Sequence, residues 1–387
     1  MKKQTISLTA ITLAVVSSYS HAAATLVSEM SHLHVSTAGA GTAAIAENAS
    51  TAYSNPASMS YLESRSLSIN LAMMDLTVRY DDNRSDALSS ANAGGLQPYG
   101  SLYYVEPIND SIALGVTLTS TGGSALDYGS QYAGSLALND LQLTVMQLNP
   151  SLSYELTDKM NIGVGVQIDH ATFEQTALAN QATLNSDSVA FGYNVGMTYQ
   201  LNYDHRLGMT YRSKMDHQLQ GDLQLVSHSS EAEVTLVNAA RLEISGLHQL
   251  NDPISLVWSV GQEYWSQNKE TLIDIGQTSV NKNRSFDDVW FASLGARFEV
   301  SNDLRLEAGV GYVSSPLDEP SLQSPDLPVA EQKKYSVGAT YQWSDATTLN
   351  AYYSYVDYGN PEINSGLMKG AFNNSNQFFG IEIGYRF

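Results

Sequence analysis

The feature that most constrains this chain is a two-residue rhythm of apolar and polar side chains. Residues 379–387 read Phe-Gly-Ile-Glu-Ile-Gly-Tyr-Arg-Phe, which puts the apolar side chains on one face and glycine, glutamate and arginine on the other. Successive side chains of a β-strand point to opposite faces, so the rhythm predicts strands with one apolar and one polar side. It recurs at 162–169, 191–199, 304–312 and 335–343.

The polar face of these strands decides between two kinds of all-β fold. A dry sandwich core would hold the charged side chains without partners, at a high cost. In a membrane barrel the apolar face meets lipid and the polar face lines the lumen. The 23 tyrosines and 28 glycines suit the aromatic girdles and crowded lumen positions of such a barrel.

Short polar turns alternate with longer segments along the chain. The short turns are 108–110, 157–160, 202–205, 251–253, 301–303 and 344–346, and the longer segments are 81–96, 122–139, 176–185, 227–230, 276–285, 317–330 and 359–373. This alternation is typical of outer-membrane barrels, and an even strand number leaves no free edge in lipid. It predicts an all-β, 14-stranded antiparallel transmembrane β-barrel at 64–387. Its strands are expected at 66–80, 97–106, 111–121, 140–156, 161–175, 186–201, 206–226, 231–249, 254–275, 286–300, 304–316, 331–343, 347–358 and 374–387.

The first residues have the pattern of a secretory signal. Lys2 and Lys3 precede a short apolar stretch from Ile6 to Val16, and small residues follow. The apolar stretch is too short to span a bilayer as a helix, so we predict a signal peptide at 1–22 with cleavage near Ala22.

Residues 23–63 lack the strand rhythm and are rich in Ala, Ser, Thr and Gly. Small residues permit close packing in a confined space, so this segment is predicted to be a hatch that plugs the barrel lumen. The alternative is a flexible periplasmic tail.

Charge and the scarcity of reactive groups exclude several functions. The formal charge of −20 disfavours nucleic acid as a partner, and many of the acids fit a solvated rim. The chain has no Cys, its eight His are scattered without metal-ligand spacing, and no phosphate loop is present, so no metal or cofactor is predicted. His170 and Asp169 point to opposite faces of their strand and cannot form a dyad, so we expect no enzymatic activity.

A family resemblance begins in the N-terminal segment. Ala44-Ile45-Ala46-Glu47-Asn48-Ala49-Ser50, followed by Asn55, Pro56 and Ala57 just before the first strand, resembles the hatch of the FadL/TodX family. Further matches in family order are Leu148-Asn149-Pro150-Ser151, Phe191-Gly192-Tyr193-Asn194-Val195-Gly196, Leu207-Gly208-Met209-Thr210-Tyr211-Arg212-Ser213, Tyr264-Trp265-Ser266, Ala308-Gly309-Val310-Gly311-Tyr312 and Pro325-Asp326. The resemblance covers nearly the whole mature chain.

This resemblance implies a bacterial outer-membrane channel for passive uptake of long-chain fatty acids or similar hydrophobic molecules. Family members capture ligand from outside, hold it in an interior pocket and release it sideways through a kink in the third strand, here 111–121. Gly115 or the Gly122-Gly123 pair could loosen that strand, because glycine weakens strand interiors. The alternative for Gly115 is ordinary crowding in the lumen.

The sequence also departs from the family. Segments 122–139 and 176–185 are short and polar where fatty-acid members have long amphipathic ones. Thr172 stands near a position where those members place a lumen base. Lys282 and Arg212 are therefore the candidates for holding a ligand head group. The alternatives are a solvated loop lysine for Lys282 and a lumen salt bridge for Arg212. His34, Ser36 and Thr37 replace residues common in the family hatch.

Two rival functions remain open from sequence. One is a channel for aromatic hydrocarbons, and the other is a surface receptor or adhesin that contacts phage or host. In either case we expect a multi-pass monomer surrounded by outer-membrane lipid and lipopolysaccharide. Phe387 is the expected recognition signal for the barrel-assembly machinery, since a C-terminal aromatic serves outer-membrane assembly.

Overall fold

The structure is a computed structural model that describes residues 28–226 and 228–387. The predicted signal peptide and the first five residues of the predicted hatch lie outside the described residues, so both boundaries stay predictions.

One antiparallel sheet closes on itself because the first strand pairs with the last, Ser66 opposite Arg386. The strands are β1 Ser66–Asp82, β2 Leu96–Asn109, β3 Ile112–Asp127, β4 Asp140–Thr157, β5 Met160–Ala177, β6 Ala182–Asn202, β7 His205–Arg212, β8 Met215–Leu225, β9 His228–Asn238, β10 Arg241–Asn251, β11 Ile254–Glu263, β12 Glu270–Ile275, β13 Thr278–Asn283, β14 Val289–Glu299, β15 Leu304–Val313, β16 Gln332–Ser344, β17 Thr347–Asp357, β18 Glu362–Ser365 and β19 Met368–Arg386.

These segments form fourteen barrel strands, which confirms the predicted fold. The seventh to tenth barrel strands are each interrupted once, so they consist of the pairs β7 with β8, β9 with β10, β11 with β12, and β13 with β14. β18 is a short addition to the last loop. The prediction of continuous strands at 206–226, 231–249 and 254–275 was therefore wrong.

Three of the predicted long loops, 176–185, 227–230 and 276–285, are largely strand in their described residues. The strand pairs β5 with β6, β8 with β9, and β12 with β13 continue into them as hairpins, and residue 227 lies outside the described residues. The connections that remain long are 83–95, 128–139, 314–331 and the 358–367 segment that carries β18. They lie at one end of the barrel, which the short-turn rule assigns to the outside of the cell.

β5 illustrates how the sequence rhythm orients the wall. Ile162, Val164 and Val166 are 37 to 53% exposed on the outer face, whereas the glycines between them are buried in the lumen. Nearer the outside of the cell the polarity reverses: Thr172 and Glu174 point outward, and Phe173 points inward. The lumen is therefore polar in its periplasmic half and apolar in its outer half.

Short helices occur at α1 His32–Val35 and α2 Thr51–Ser54, with 3-10 turns at Pro56–Tyr61, Asp86–Leu88 and Trp265–Asn268. In the part of the chain that the structure describes, no helix is long and apolar enough to cross a membrane.

Residues 28–62, called the N-terminal segment from here on, lie among inward-facing side chains of the wall. Asn70 of β1 donates to the Met30 carbonyl, Ser245 of β10 accepts from Ala43 N, and Glu382 of β19 accepts from Asn48. Gly208 makes room for the segment, because a Cβ there would lie 1.9 Å from the Ala43 carbonyl oxygen. Contacts to strands so far apart in sequence place the segment inside the barrel.

Candidate functional site

A cavity of about 190 Å³ lies between the N-terminal segment and loop 314–331, which we call the lid. Its lining falls into two sectors. The apolar sector consists of Met74, Leu76, Val78, Leu126, Trp265, Phe291, Val313, Leu327, Val329, Tyr358 and Phe378. The polar sector includes His34, Thr42, Ser54, Arg212, Arg241, Glu243 and Glu263. A ligand in this cavity would contact an apolar wall on one side and a charged wall on the other.

The charged wall arises where the barrel strands are interrupted at one level. Arg212 ends β7, Arg241 begins β10 and Glu263 ends β11, and the pairing register places these three side by side. Arg241 and Glu263 were not predicted as site residues, because they come together only through the register of neighbouring strands, which no local sequence pattern reveals.

Arg241 is neutralised within the site. Its two Nη atoms lie 2.5 Å from Glu263 and 3.0 Å from Glu243, and its guanidinium stacks 4.0 Å above the Phe291 ring. Trp265 Nε1 adds a 2.9 Å bond to Glu263. Two carboxylates therefore balance the Arg241 charge, which weakens its attraction for an incoming anion.

Arg212 faces the lumen as predicted, yet its partners are neutral. It donates to the Tyr53 carbonyl at 3.0 Å and to the Gln147 side-chain oxygen, and it stacks 4.2 Å above the Tyr53 ring. No carboxylate of a described residue pairs with it, so the alternative of a lumen salt bridge is wrong for this part of the chain. Lys334, the remaining cation of the cavity, binds Glu29 at 2.6 Å.

Lys282 lies outside the cavity lining, on the extracellular β12–β13 hairpin. Its Nζ donates to Ser324 Oγ of the lid at 3.0 Å, so it is not a solvated loop lysine. Burial and the neighbouring Arg284 lower its pKa to about 7.

Beside it, Arg284 and Asp326 form a fully buried ion pair at 2.9 Å between hairpin and lid. Burial alone would raise the pKa of Asp326, but Arg284 and Lys282 reverse that effect and hold it at about 2. The Arg284–Asp326 pair therefore attaches the lid to the hairpin above the cavity.

Asn55, Pro56 and Ala57 anchor the N-terminal segment to the wall. The Asn55 amide donates to the carbonyls of Ala43 at 2.7 Å and Met197 at 3.1 Å, and its oxygen accepts from Ala57 N at 3.1 Å. Asn55 is fully buried and caps the 3-10 turn that Pro56 begins. One side chain thus ties two parts of the segment to β6.

Gly115 lies in an unbroken part of the wall. It pairs with Val105 on β2 and Ser151 on β4, and a Cβ there would meet Met59 Sδ at 2.3 Å. This placement matches the lumen-crowding alternative.

Gly122 and Gly123 lie at an irregularity of β3. The register between β3 and β4 shifts between Ser120 and Gly122. At the same level the ladder between β2 and β3 ends with Ser101 opposite Thr119. Residues 96–100 of β2 pair only with β1, and residues 120–127 of β3 only with β4.

Above this point Ala93 closes the wall again, accepting from Asp127 N at 2.7 Å and donating to Val78 O at 2.8 Å. The two strand edges therefore have no ladder partner between Ala93 and the pair Ser101–Thr119, and we call this stretch of the wall the window. The outward-facing Leu102 and Leu118, 39% and 43% exposed, lie opposite each other directly below it.

A second cavity of about 90 Å³ occupies this window. It shares Met74, Gly123 and Ser124 with the lumen cavity and reaches Pro98, Gln142 and Thr144 on the wall. We call the two spaces the lumen cavity and the window cavity.

Toward the periplasm the lumen is polar and charged. Glu47 of the N-terminal segment binds Arg297 and Arg305, and His32 lies 2.8 Å from Glu307. These groups surround a polar cavity of about 260 Å³. An apolar molecule moving straight through the barrel would have to enter it.

Asp169 points inward, as predicted, and meets His217 rather than His170. The His217 ring lies 2.9 Å from Ser188 Oγ and 3.6 Å from Asp169. The three residues are at most 7% exposed and do not line the lumen cavity. Among residues 28–226 and 228–387, no cluster of three potential metal ligands occurs.

Thr172, near the position where the resemblance implies a lumen base, points away from the lumen. Phe387 is 61% exposed at the periplasmic rim, where its ring meets Tyr385 edge-on and its backbone N–H binds the Arg65 carbonyl.

Comparison with known proteins gives one consistent answer. Residues 13–387 match the family described as outer membrane protein transport protein (OMPP1/FadL/TodX). Outer membrane protein P1 of Haemophilus influenzae is 25% identical, over 92% of this chain and 90% of that protein. The long-chain fatty acid transport protein of Escherichia coli O6:H1 is 24% identical, over 99% of this chain and 98% of that protein.

Solved structures agree on the fold. A FadL homologue from Pseudomonas aeruginosa superposes with a TM-score of 0.85 at 19% identity, covering 94% of this chain and all of the other. The toluene transporter TbuX of Ralstonia pickettii superposes with a TM-score of 0.73 at 18% identity, covering 93% and 99%.

Proposed function

The chain belongs to the OMPP1/FadL/TodX family of outer-membrane transport proteins, and we propose that it takes up long-chain fatty acids or similar hydrophobic molecules and releases them sideways through the window in its wall. The observation that carries this proposal is the contact between the two cavities at Met74, Gly123 and Ser124. Ligand entering from outside fills the lumen cavity, passes the boundary into the window cavity and leaves into the outer leaflet.

The energetics of the route favour the sideways exit. Each Å² of apolar surface kept from water is worth about 25 cal/mol. A path toward the periplasm would take the ligand through the charged surroundings of Glu47, Arg297 and Arg305. The window instead leads past Leu102 and Leu118 to lipid. The passage requires no energy input, because the ligand moves from one apolar environment to another.

The charges of the lumen cavity support a ligand with a carboxylate. Arg241 and Lys334 are neutralised by glutamates, whereas Arg212 bonds only neutral groups among the residues described. A carboxylate replacing the Gln147 amide would add the attraction between opposite charges and would accept two parallel N–H···O bonds from the guanidinium. We propose Arg212 as the head-group partner and assign Lys282 to the lid.

The size of the cavity favours a second candidate ligand. At about 190 Å³ it is close to the roughly 150 Å³ of a dry protein cavity that holds benzene. Trp265, Phe291 and Phe378 line it. An aromatic hydrocarbon fits this volume directly, whereas a long acyl chain needs the lid or the N-terminal segment to move.

Both candidate ligands can be tested by measuring uptake of labelled oleate and of labelled toluene in a deletion strain complemented with the protein. For a fatty-acid channel, oleate uptake should depend on the protein and fall on Arg212→Met but not on Lys282→Met. For a hydrocarbon channel, toluene uptake should depend on the protein and be unaffected by Arg212→Met. If neither compound enters faster with the protein than without it, the transport proposal is wrong.

A further inference from the structure

We propose that Tyr99 is the gate between the lumen cavity and the window cavity, and that its hydrogen bond to the Glu29 carbonyl keeps this gate closed. The inference rests on the proposed sideways release and names the residue that controls it. Its three supports are the position of the ring, the partner of the hydroxyl and the place of that partner in the lumen cavity.

The Tyr99 ring stands at the boundary of the two spaces. It lines the window cavity together with Met74, and it packs edge-on against Phe378, which lines the lumen cavity. The ring centroids are 6.3 Å apart at an interplanar angle of 86°. The ring therefore lies beside Met74, one of the residues at which the two cavities adjoin, where its position affects the width of the passage.

The backbone around Tyr99 is held on one side only. Tyr99 pairs with Ala72 on β1, but its other edge faces the window and has no ladder partner on β3. The next residue toward the lid, Pro98, cannot donate a backbone hydrogen bond at all. The side-chain bond from Tyr99 Oη to the Glu29 carbonyl, at 2.8 Å, is therefore one restraint on the ring, beside its contacts with Phe378 and Tyr352.

The acceptor of that bond belongs to the wall of the lumen cavity. Ser28 and Glu29 both line it, and Lys334 Nζ holds them at 3.0 Å from Ser28 Oγ and 2.6 Å from Glu29 Oε1. A ligand that fills the cavity presses on these two residues. When Glu29 shifts, Tyr99 loses this acceptor and its ring is held less firmly against Phe378 and Tyr352, so filling the lumen cavity favours opening of the way out.

The test variant is Tyr99→Phe, which keeps the ring and removes only the hydroxyl. Tyr103→Phe is a matched control, because the Tyr103 hydroxyl also donates to the N-terminal segment, at 2.8 Å to the Met30 carbonyl. Tyr103 lies below the window in the intact ladder, opposite Thr117. Asn70 and Ser101 also bond the Met30 carbonyl, so the segment keeps its attachment in the control.

The absence of cysteine in the sequence allows a clean reporter. Ser124→Cys places one thiol at the boundary of the cavities, and its reaction rate with a water-soluble maleimide in the purified protein measures access. Loss of one neutral hydrogen bond shifts an equilibrium about threefold to tenfold, so Tyr99→Phe should accelerate labelling by that factor. Tyr103→Phe should label at the wild-type rate. Equal rates in all three proteins, or equal acceleration in both variants, would overturn the gate.

A second variant distinguishes loss of the Tyr99 restraint from a general increase in the mobility of the N-terminal segment. Lys334→Met should accelerate labelling when Tyr99 is present and add little in the Tyr99→Phe background, because both act on the same bond. Fully additive effects would contradict the coupling. The labelling rates do not depend on transport, so a gate that fails in this assay while oleate or toluene uptake persists leaves the transport proposal intact. Conversely, absence of uptake with the expected labelling refutes transport alone.

Discussion

The ion pair between Arg284 and Asp326 is predicted to hold the lid closed, and removing one of its charges tests this. Their side chains are 2% and 0% exposed, and Nη2 lies 2.9 Å from Oδ2. Asp326→Asn keeps the shape of the side chain but leaves the Arg284 charge buried and without its carboxylate. Removing one partner of a buried pair costs about 3–5 kcal/mol.

This cost should fall on the lid rather than on the barrel. The other bonds that hold the lid join single neutral acceptors: Ser324 Oγ to Lys282 at 3.0 Å, the Pro325 carbonyl to the Tyr128 hydroxyl at 2.8 Å, and the Pro328 carbonyl to Asn374 at 3.0 Å, with backbone bonds at Pro316 and Pro320. Because about 1.4 kcal/mol is a factor of ten, the open population of the lid should rise roughly 100- to 4000-fold. The ladders of the wall are untouched.

Chymotrypsin cleavage after Leu317 or Leu322 measures that opening in the folded protein, since cleavage tracks the open population when closing is fast. Asp318→Asn, an exposed change in the same lid, is the matched control and should leave the rate unchanged. Adding Arg284→Met to Asp326→Asn removes the stranded charge and should restore most of the protection. If Asp326→Asn and Asp318→Asn are cleaved equally fast, the pair does not hold the lid.

Three further outcomes follow from the same structure. The pKa of Asp326 is lowered to about 2, so the stabilisation it gives is complete above about pH 4 and is lost as the pH falls toward 2; pepsin cleavage of the wild-type lid should rise across that window, and that of Asp326→Asn should not. Gly196→Ala would place a Cβ 1.9 Å from Asn55 Oδ1 and should displace the N-terminal segment, seen as higher ion conductance in planar bilayers, whereas Gly95→Ala, with no atom within 4 Å, should conduct like the wild type. Phe387→Ala removes an exposed ring and should leave the purified barrel stable while lowering its amount in the outer membrane; normal surface amounts would contradict an assembly role.

The architecture was predictable because lipid imposes a strict two-residue rule on the wall. Ile162, Val164 and Val166 could face only outward once the segment was assigned to a strand, and the C-terminal strand followed the same rule. The rule fails outside the lipid. The β5–β6 hairpin extends beyond the bilayer, where polar side chains such as Thr172 and Glu174 on the outer face are solvated. Its residues therefore lack the apolar rhythm, and the sequence pattern predicted a polar loop there.

The cavity was harder to predict because it depends on contacts across the barrel. Arg212, Arg241 and Glu263 converge only through the register of three strands. One signal for the window was present in the sequence, however. Pro98 lies inside the predicted strand 97–106, and proline inside a strand marks an edge that lacks a hydrogen-bonded neighbour.

Under the proposed sideways release, route and selectivity depend on different parts of this molecule. The route depends on the backbone, through the missing ladder between β2 and β3 and the register shift at Gly122. Selectivity is a property of side chains on the far wall, of which Arg212 is the one with only neutral partners among the described residues. A substitution at Arg212 should therefore change which molecule is carried without closing the window. Restoring the β2–β3 ladder should stop every ligand alike.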